Sequence, residues 1–392
     1  MEYELRHNDD TVLLFDITEN FGISKIKKIV NKEKVPIGIM KDNSLNIADF
    51  SAWLDSRGIP AKREGIPYIL EKESVQNVRE LLFKNNGLGL TDHYWISEAG
   101  SDLQWKDINY FENDSGFGTL GEDIYLGTHE SRVFNGKKPH SSASGMLPKK
   151  WVIKNDIRYL LKGSETAFRQ EPFNEKIASQ FIDCSLIEHV DYQLVNYKNN
   201  ILSVCPNMLD NYHELISAYF ASNNKKDRNE SYYNHYIRSC KELGIKGDIK
   251  TSLDQMIVID YLIGNTDRHW SNFGVIRNSD TLQVERLAPL YDHGASFFPK
   301  THHLDIIGEN TNLKCQSFKK TQAENLKLVK DFSWLNKDSL KILPDIVKTE
   351  LNKNKYGSEK RTEIIIKSIR NRIDSFRRYM GIEIKNIHSR KI

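Results

Sequence analysis

Apolar positions along the chain follow two periods, and their alternation predicts the element order. Short runs at Val12–Phe15 and Val35–Met40 predict strands. Asn46–Arg57 sets Ile47, Phe50, Trp53 and Leu54 on one helical face and is stopped by Gly58 and Pro60. A second helix, Ser74–Lys84, carries Val75, Val78, Leu81 and Leu82 and exits at Asn86-Gly87. Segment 140–162 reads as a Ser/Gly loop, a strand, an Asn155-Asp156 turn and a strand ending in Lys162. Pro172 and Asn174 open a helix with Ile177, Ala178 and Phe181 inward. Two strands, Tyr192–Tyr197 and Ile201–Cys205, flank the 198–200 turn before Pro206-Asn207-Met208 breaks the pattern.

Beyond Asn211 the helical period dominates, at His213–Ala221, Asn234–Leu243, Ser252–Ile263, Glu324–Phe332 and Ser339–Leu351. A long last helix, Lys360–Met380, carries Ile366, Ile369, Ile373, Phe376 and Met380 as its stripe, while Arg370, Arg372, Arg377 and Arg378 read as a solvated basic face. One β-hairpin interrupts this half: Phe273–Ile276 and Gln283–Arg286 joined through Asn278-Ser279-Asp280. The whole predicts an α+β protein of two lobes, β-rich first and helical second. The divisions are an N-terminal α/β subdomain over 1–130, a β-rich lobe over 131–208 and a helical lobe over 209–392.

Composition narrows the class. With 392 residues, 39% hydrophobic and 28% charged, the chain can bury a large core and carries no disordered tract. A net charge of +3 lacks the excess of a nucleic-acid-coating protein, so direct nucleic-acid binding is not expected. The N-terminus shows no basic segment leading into an apolar core, and no run approaches the roughly 20 apolar residues of a membrane span, which gives a cytoplasmic expectation. Cys184, Cys205, Cys240 and Cys315 form no C-x-x-C pair and read as reduced thiols. The aromatics Tyr94, Trp95, Trp105, Tyr110 and Phe111 read as core rather than as base-stacking platforms. Gly116, Gly118 and Gly121 mark a loop.

The chemistry concentrates between Asp260 and Gly294. Asp267 and Asn272 stand five residues apart on a polar loop that follows an apolar helix, and the hairpin after them returns Asp292 beside Asn272. A carboxylate that can take a hydroxyl proton, with an amide and a second carboxylate able to hold a divalent ion through oxygen, is what phosphoryl transfer asks of a protein. Asp267 is therefore the candidate base, and Asn272 and Asp292 are the candidate metal ligands. Neither His269 nor His302-His303 has zinc spacing; His269 reads as a brace for the loop and the histidine pair as exposed loop. G-x-S-x-G and G-x-x-x-x-G-K-[ST] are absent.

GNTDRHWSNFGV followed by LAPLYDHG resembles the catalytic and metal-binding segments of the HipA-like serine/threonine kinases. The resemblance implies a bilobal protein-kinase-like fold with an extra N-terminal subdomain and dependence on ATP and Mg2+. Kinase order then assigns the upstream residues. Ser142, Ala143, Ser144 and Gly145 form the phosphate loop, Lys162 contacts phosphate, and Glu175, in the first turn of its helix, holds Lys162 in register. The resemblance also makes Cys205, Asn207 and Met208 the candidate hinge along which adenine would lie. The family also implies autophosphorylation of a loop serine, with Ser141, Ser142 and Ser144 as candidates, and a small DNA-binding antitoxin as a possible partner. Three alternatives stay open: a kinase of a small-molecule hydroxyl, a kinase of a lipid hydroxyl, or a nucleotide-binding or DNA-associated regulatory module without catalysis.

Overall fold

The structure, a computed structural model, describes residues 1–41, 43–62, 66–114, 147–197, 200–306 and 312–381. Residues 141–145, expected to form the phosphate loop, and the glycines at 116, 118 and 121 lie outside the described residues.

The first 114 residues build an antiparallel sheet. Strands β1 (Glu2–His7), β2 (Asp10–Ile17) and β3 (Ile23–Ile29) are followed by the short pair β4 (Met40–Lys41) and β5 (Ser44–Leu45). Helices α1 (Ile47–Asp55), α2 (Ile66–Lys72) and α3 (Val78–Lys84), strand β6 (Tyr94–Glu98) and helix α4 (Trp105–Ile108) complete it, with sheet order β3-β2-β1-β6. Asn46 and Asn77 cap α1 and α3 by accepting backbone N–H bonds. Leu5, Leu13, Phe15, Phe50, Trp53, Leu82 and Phe83 form the core, and all five aromatics of the 94–111 region are buried.

Two expectations change here. Val35–Met40 is not a strand except at its last residue, Met40, which opens β4: Pro36 and Gly38 turn the chain, and Ile39 N–H bonds back to Pro36 O at 3.4 Å. Gly38 sits at φ +83° with its Cα so close to the Phe220 carbonyl that a Cβ would lie 2.0 Å from the oxygen. The Ser74–Lys84 helix begins only at Val78, because Asn77 takes the cap position.

The next sheet runs β7-β8-β10-β9, from β7 (Lys149–Lys154), β8 (Ile157–Lys162), β9 (Gln193–Tyr197) and β10 (Asn200–Pro206), all antiparallel. Helix α5 (Glu171–Asp183) lies between β8 and β9 in sequence and buries Ile177, Ala178, Phe181 and Ile182. Glu175 stands in its second turn, since the helix starts at Glu171 and not at the proline.

The remainder is mainly helical around one small sheet. Strand β11 (His213–Ser217) precedes α6 (Ala218–Ala221), α7 (Tyr232–Glu242) and α8 (Ile249–Ile263). Strands β12 (Gly274–Asn278) and β13 (Val284–Leu287) form the expected hairpin, with Asn278 Oδ1 accepting from the N–H groups of Asp280 and Thr281 at its turn. The helices α9 (His303–Ile306), α10 (Gln322–Leu326), α11 (Ser339–Leu351) and α12 (Glu359–Tyr379) follow. His213–Ala221 is thus not one helix: its first five residues pair antiparallel with β12, and a Cβ on Gly274 would meet the Ile216 carbonyl at 2.1 Å. Glu324–Phe332 contracts to α10, closed at its start by a Thr321/Glu324 capping box. Arg372 is not on a solvated face. It is fully buried, donating from Nε to Tyr261 O at 2.7 Å and from Nη2 to Gln322 Oε1.

One buried ionic cluster ties the first sheet to the third. Glu214 Oε1 accepts from His93 N–H at 2.9 Å and faces His7 Nε2 at 2.8 Å and His93 Nδ1 at 3.1 Å, while Arg277 Nε donates to Oε2 at 2.8 Å. Burial pushes the Glu214 carboxyl up, but Arg277 and the two histidines outweigh it and hold the group well below the usual carboxylate range. Burial pulls His93 down, Glu214 overrides it, and the imidazole ends above its ordinary 6.5. A raised folded-state value means that the His93 contribution to stability is complete below pH 6.5 and lost as pH rises through that raised value. The thermal midpoint should fall across that window, and His93→Gln should flatten the fall. A slope unchanged in the variant would remove His93 as its source.

Candidate active site

Lys162 closes strand β8, where its Cα stands opposite Lys149 on β7 and Ser203 on β10. Its Nζ bonds to Glu175 Oε1 and, at 2.6 Å, to Asp292 Oδ1, and lies 5.3 Å from the Tyr192 ring centroid. The other oxygen of Glu175 accepts from His293 N–H at 2.8 Å. Helix α5 is in turn locked to the chain beyond Asp292. Asn174 Nδ2 donates to Gly294 O at 2.8 Å and Ser296 O at 2.6 Å, and Gln170 Nε2 to Phe297 O at 2.8 Å. Residues far apart in sequence thus converge on one ammonium. Burial pulls the Lys162 ammonium down, yet Asp292 and Glu175 overcome this and hold it well above its usual value. Burial likewise pushes Asp292 up, and Lys162 and Lys149 bring it far below the usual range.

The second half of the site is a loop delivered by α8, which Asp248 caps at its start and Gly264, at φ +66°, ends in the left-handed conformation. Asn265 Nδ2 donates to Asp260 Oδ1 at 2.9 Å, and Asp267 N–H donates to Asn265 Oδ1 at 3.1 Å. Asp267 O accepts from His269 N–H at 2.8 Å and from Asn272 Nδ2 at 2.9 Å. His269 braces the loop through its ring as well, Nδ1 accepting from Ser271 N–H at 3.2 Å. Burial raises the Asp267 carboxyl, opposed by His269 and reinforced by Asp292.

Arg268, invisible in the sequence reading, holds the whole loop. It forms a fork on Asp260, Nε to Oδ2 at 2.9 Å and Nη2 to Oδ1 at 3.0 Å. Its Nη1 donates to Asn272 O at 2.6 Å and to Tyr291 O at 2.5 Å, so one guanidinium ties Asn272 to the residue that precedes Asp292. Asp292 follows Tyr291 at φ +59°, an uncommon conformation for a residue with a side chain.

Among the described residues, no hydrogen bond occupies Asn272 Oδ1 or Asp292 Oδ2. Both are hard oxygens, and so small a set of protein ligands would suit an ion that keeps waters and phosphate oxygens in its shell, as Mg2+ does. At the break after β10, Cys205 is buried with Val190 and Tyr192, and Leu160, Met208 and Tyr291 pack against them. Asn207 N–H is already donated to Arg158 O at 2.7 Å, which removes it from the groups able to reach a base. Met208 makes no backbone hydrogen bond among the described residues.

Sequence reading also missed Lys149, which faces Asp292, and Gln316, whose Nε2 donates to Asp267 Oδ1 at 2.9 Å. Lys149 was detectable from its register opposite Lys162. Nothing local marks Gln316, 49 residues from its partner.

A β-sheet lobe with a strand lysine paired to a helix glutamate, packed on a helical lobe that carries an Asp/Asn loop and a following Asp, defines a protein-kinase-like fold. Residues 141–353 match the family described as the HipA-like C-terminal domain. That match spans more than half of the chain, and the protein belongs to this family of HipA-like kinases.

Among curated proteins it is similar to the serine/threonine-protein kinase CtkA of Helicobacter pylori, 26% identical over 180 residues. That alignment takes in 42% of this chain and 54% of CtkA, so the chain spans about half the length of this relative. Among solved structures, the Shewanella oneidensis HipA complex with HipB and operator DNA aligns over 100% of both chains, with TM-score 0.56 and 12% identity. The CtkA crystal structure aligns over 60% of this chain and 95% of its own, with TM-score 0.44 and 18% identity. Among the described residues no helix is long and apolar enough to cross a membrane.

Proposed function

We propose that the protein transfers the terminal phosphoryl group of ATP, with Mg2+, to a serine or threonine hydroxyl on a protein. The observation that carries the reading is the convergence of Lys162, Glu175 and Asp292 beside the Asp267–Asn272 loop. Glu175 keeps Lys162 extended so that its ammonium meets phosphate oxygens. Asn272 and Asp292 would hold Mg2+, which when bound would supply charge neutralisation to the transferring phosphate. Asp267 orients the acceptor hydroxyl and takes its proton. Met208 offers a backbone N–H and C=O to the adenine edge, with Cys205, Leu160 and Tyr291 against the ring face.

In this reading residues 1–130 are an N-terminal subdomain, 131–208 the nucleotide-binding lobe and 209–392 the acceptor-binding lobe. Ser142, Ala143, Ser144 and Gly145 cradle phosphate, and Ser141, Ser142 and Ser144 are the autophosphorylation candidates. A phosphoserine there would add about −2 charge where ATP phosphates sit. The Shewanella oneidensis HipA was solved with HipB and operator DNA, which supports a small DNA-binding antitoxin as a partner for this chain also.

The test is incubation of the purified protein with labelled ATP and protein acceptors, with and without magnesium. Label on serine or threonine that disappears with EDTA is expected, together with a mass shift in the 141–145 peptide. Label confined to small molecules or lipid would replace the protein acceptor, and ATP binding without any transfer would replace the kinase by a regulatory module.

A further inference from the structure

The catalytic loop holds Asp267 by its backbone, through bonds to Asn265, His269 and Asn272. Its carboxylate is held differently. Among the described residues the one hydrogen bond to that carboxylate comes from Gln316, Nε2 to Oδ1 at 2.9 Å. A carboxylate fixed only through its main chain is free to rotate about its terminal torsion, which is broad for aspartate.

Gln316 sits on a turn built to reach that spot. Lys314 and Thr321 form an isolated antiparallel bridge, Cys315 N–H donates to Lys320 O at 3.1 Å, and Gln322 N–H donates to Leu313 O at 2.9 Å. Asn325 Nδ2 bonds to Cys315 Sγ at 2.6 Å and steadies the near side. Beneath the turn Phe318 is buried, with ring centroids 5.6 Å from Trp270, 5.7 Å from Phe273 and 5.2 Å from Tyr233. Trp270 belongs to the catalytic loop itself, and its Nε1 donates to Ser317 O at 3.2 Å. Turn and loop are therefore packed as one unit, although Gln316 itself is exposed.

We infer that Gln316 is a positioning residue for the base: by donating to Oδ1 it fixes the carboxylate plane and leaves Oδ2 to the acceptor hydroxyl. The inference rests on the reading of Asp267 as base. In the step, the acceptor O–H proton passes to Oδ2 as the acceptor oxygen bonds to the γ-phosphorus. The bond from that phosphorus to the β,γ-bridging oxygen breaks, and ADP leaves with its electron pair. Orientation of a reacting group is worth large factors, since small misplacements of a base cost up to about a hundredfold in rate.

Three replacements separate the donor from the shape. Gln316→Met keeps the length without an N–H, Gln316→Glu presents only acceptors, and Gln316→Lys restores a donor. Steady-state kinetics with Mg-ATP and a protein acceptor should show kcat down about tenfold for Gln316→Met with the KM for ATP unchanged. Gln316→Glu should be slower still, and Gln316→Lys should recover most of the rate. Thermal melts of all three report whether the turn remains folded, and a purely structural role would track the melts rather than the donor. Equal kcat in Gln316→Met and wild type, a faster Gln316→Met enzyme, or a Gln316→Lys no better than Gln316→Met would each overturn the inference. Asp267→Ala is run alongside. If it transfers phosphate as wild type does, the base assignment itself has failed; if it is inactive while Gln316→Met is unaffected, only the role of Gln316 is lost.

Discussion

Asp267→Ala is expected to lower kcat by about a thousandfold while leaving ATP affinity within about twofold of wild type. A positioned general base contributes about 10²–10⁴ in rate, and three decades correspond to about 4 kcal/mol of barrier. Nucleotide affinity should survive because the groups assigned to ATP lie elsewhere: Lys162 and Glu175 on β8 and α5, and Met208 after β10. Among the described residues the one hydrogen bond to the Asp267 carboxylate comes from Gln316, on a separate turn, whereas its backbone carries the bonds to Asn265, His269 and Asn272. Alanine keeps that backbone, so the loop should remain folded. Single-turnover transfer and equilibrium nucleotide binding, measured on the same preparation, check both halves. Transfer at the wild-type rate would remove Asp267 from the mechanism, and a parallel collapse in ATP affinity would mean that the residue shapes the nucleotide site instead.

Arg268→Ala should be the more damaging change to the fold. It strips the buried Asp260 carboxylate of its fork and frees the carbonyls of Asn272 and Tyr291. Breaking a buried ion pair by removing one member typically costs about 3–5 kcal/mol, because the remaining charge stays buried without compensation. Arg268→Lys should recover little, since an ammonium cannot span two carboxylate oxygens and two carbonyls with fork geometry. Urea unfolding monitored by tryptophan fluorescence would report the loss, as Trp270 lies in the same loop. Asp260→Asn with Arg268→Ala, replacing both charges, should be less destabilised than Arg268→Ala alone. If Arg268→Ala unfolds at the wild-type midpoint, the fork is not what holds the loop.

The proposed Mg2+ site at Asn272 and Asp292 connects the two predictions. Arg268 ties the backbone of Asn272 to that of Tyr291, and Lys162 holds one oxygen of Asp292. Removing the brace should therefore weaken the metal dependence of activity before it abolishes the fold. The effect of Asp267→Ala should be confined to the chemical step.

Several elements around the site were legible because their determinants are local. The apolar run ending at Ile263, the Asn278 turn and the apolar runs on either side of it each carry their own signal, and the structure shows α8 and the β12–β13 hairpin there. The helix containing Glu175 was legible from its apolar face, but its start was misplaced because Gln170 and Glu171 precede the proline that marks helix starts. Other elements were not legible because their state depends on a partner distant in sequence. His213–Ser217 has enough apolar residues at helical spacing to read as a helix, yet β12 offers it a strand edge, and that pairing wins. Val35–Met40 is apolar enough for a strand, but Pro36 and the close approach of Gly38 to Phe220 exclude one.

What the sequence by itself determined is the chemistry available: which acids, amides and lysine exist, in what order, on loops or at strand ends, and in a pattern similar to a kinase family. Only the tertiary structure decided which of them meet. Lys162 reaches Asp292 across 130 residues, Arg268 joins Asn272 to Tyr291, and Gln316 reaches Asp267 from a turn 49 residues on. The physical reason is that side-chain type and local period are properties of neighbouring residues, whereas convergence on one point is set by packing between lobes, which no short window of sequence contains.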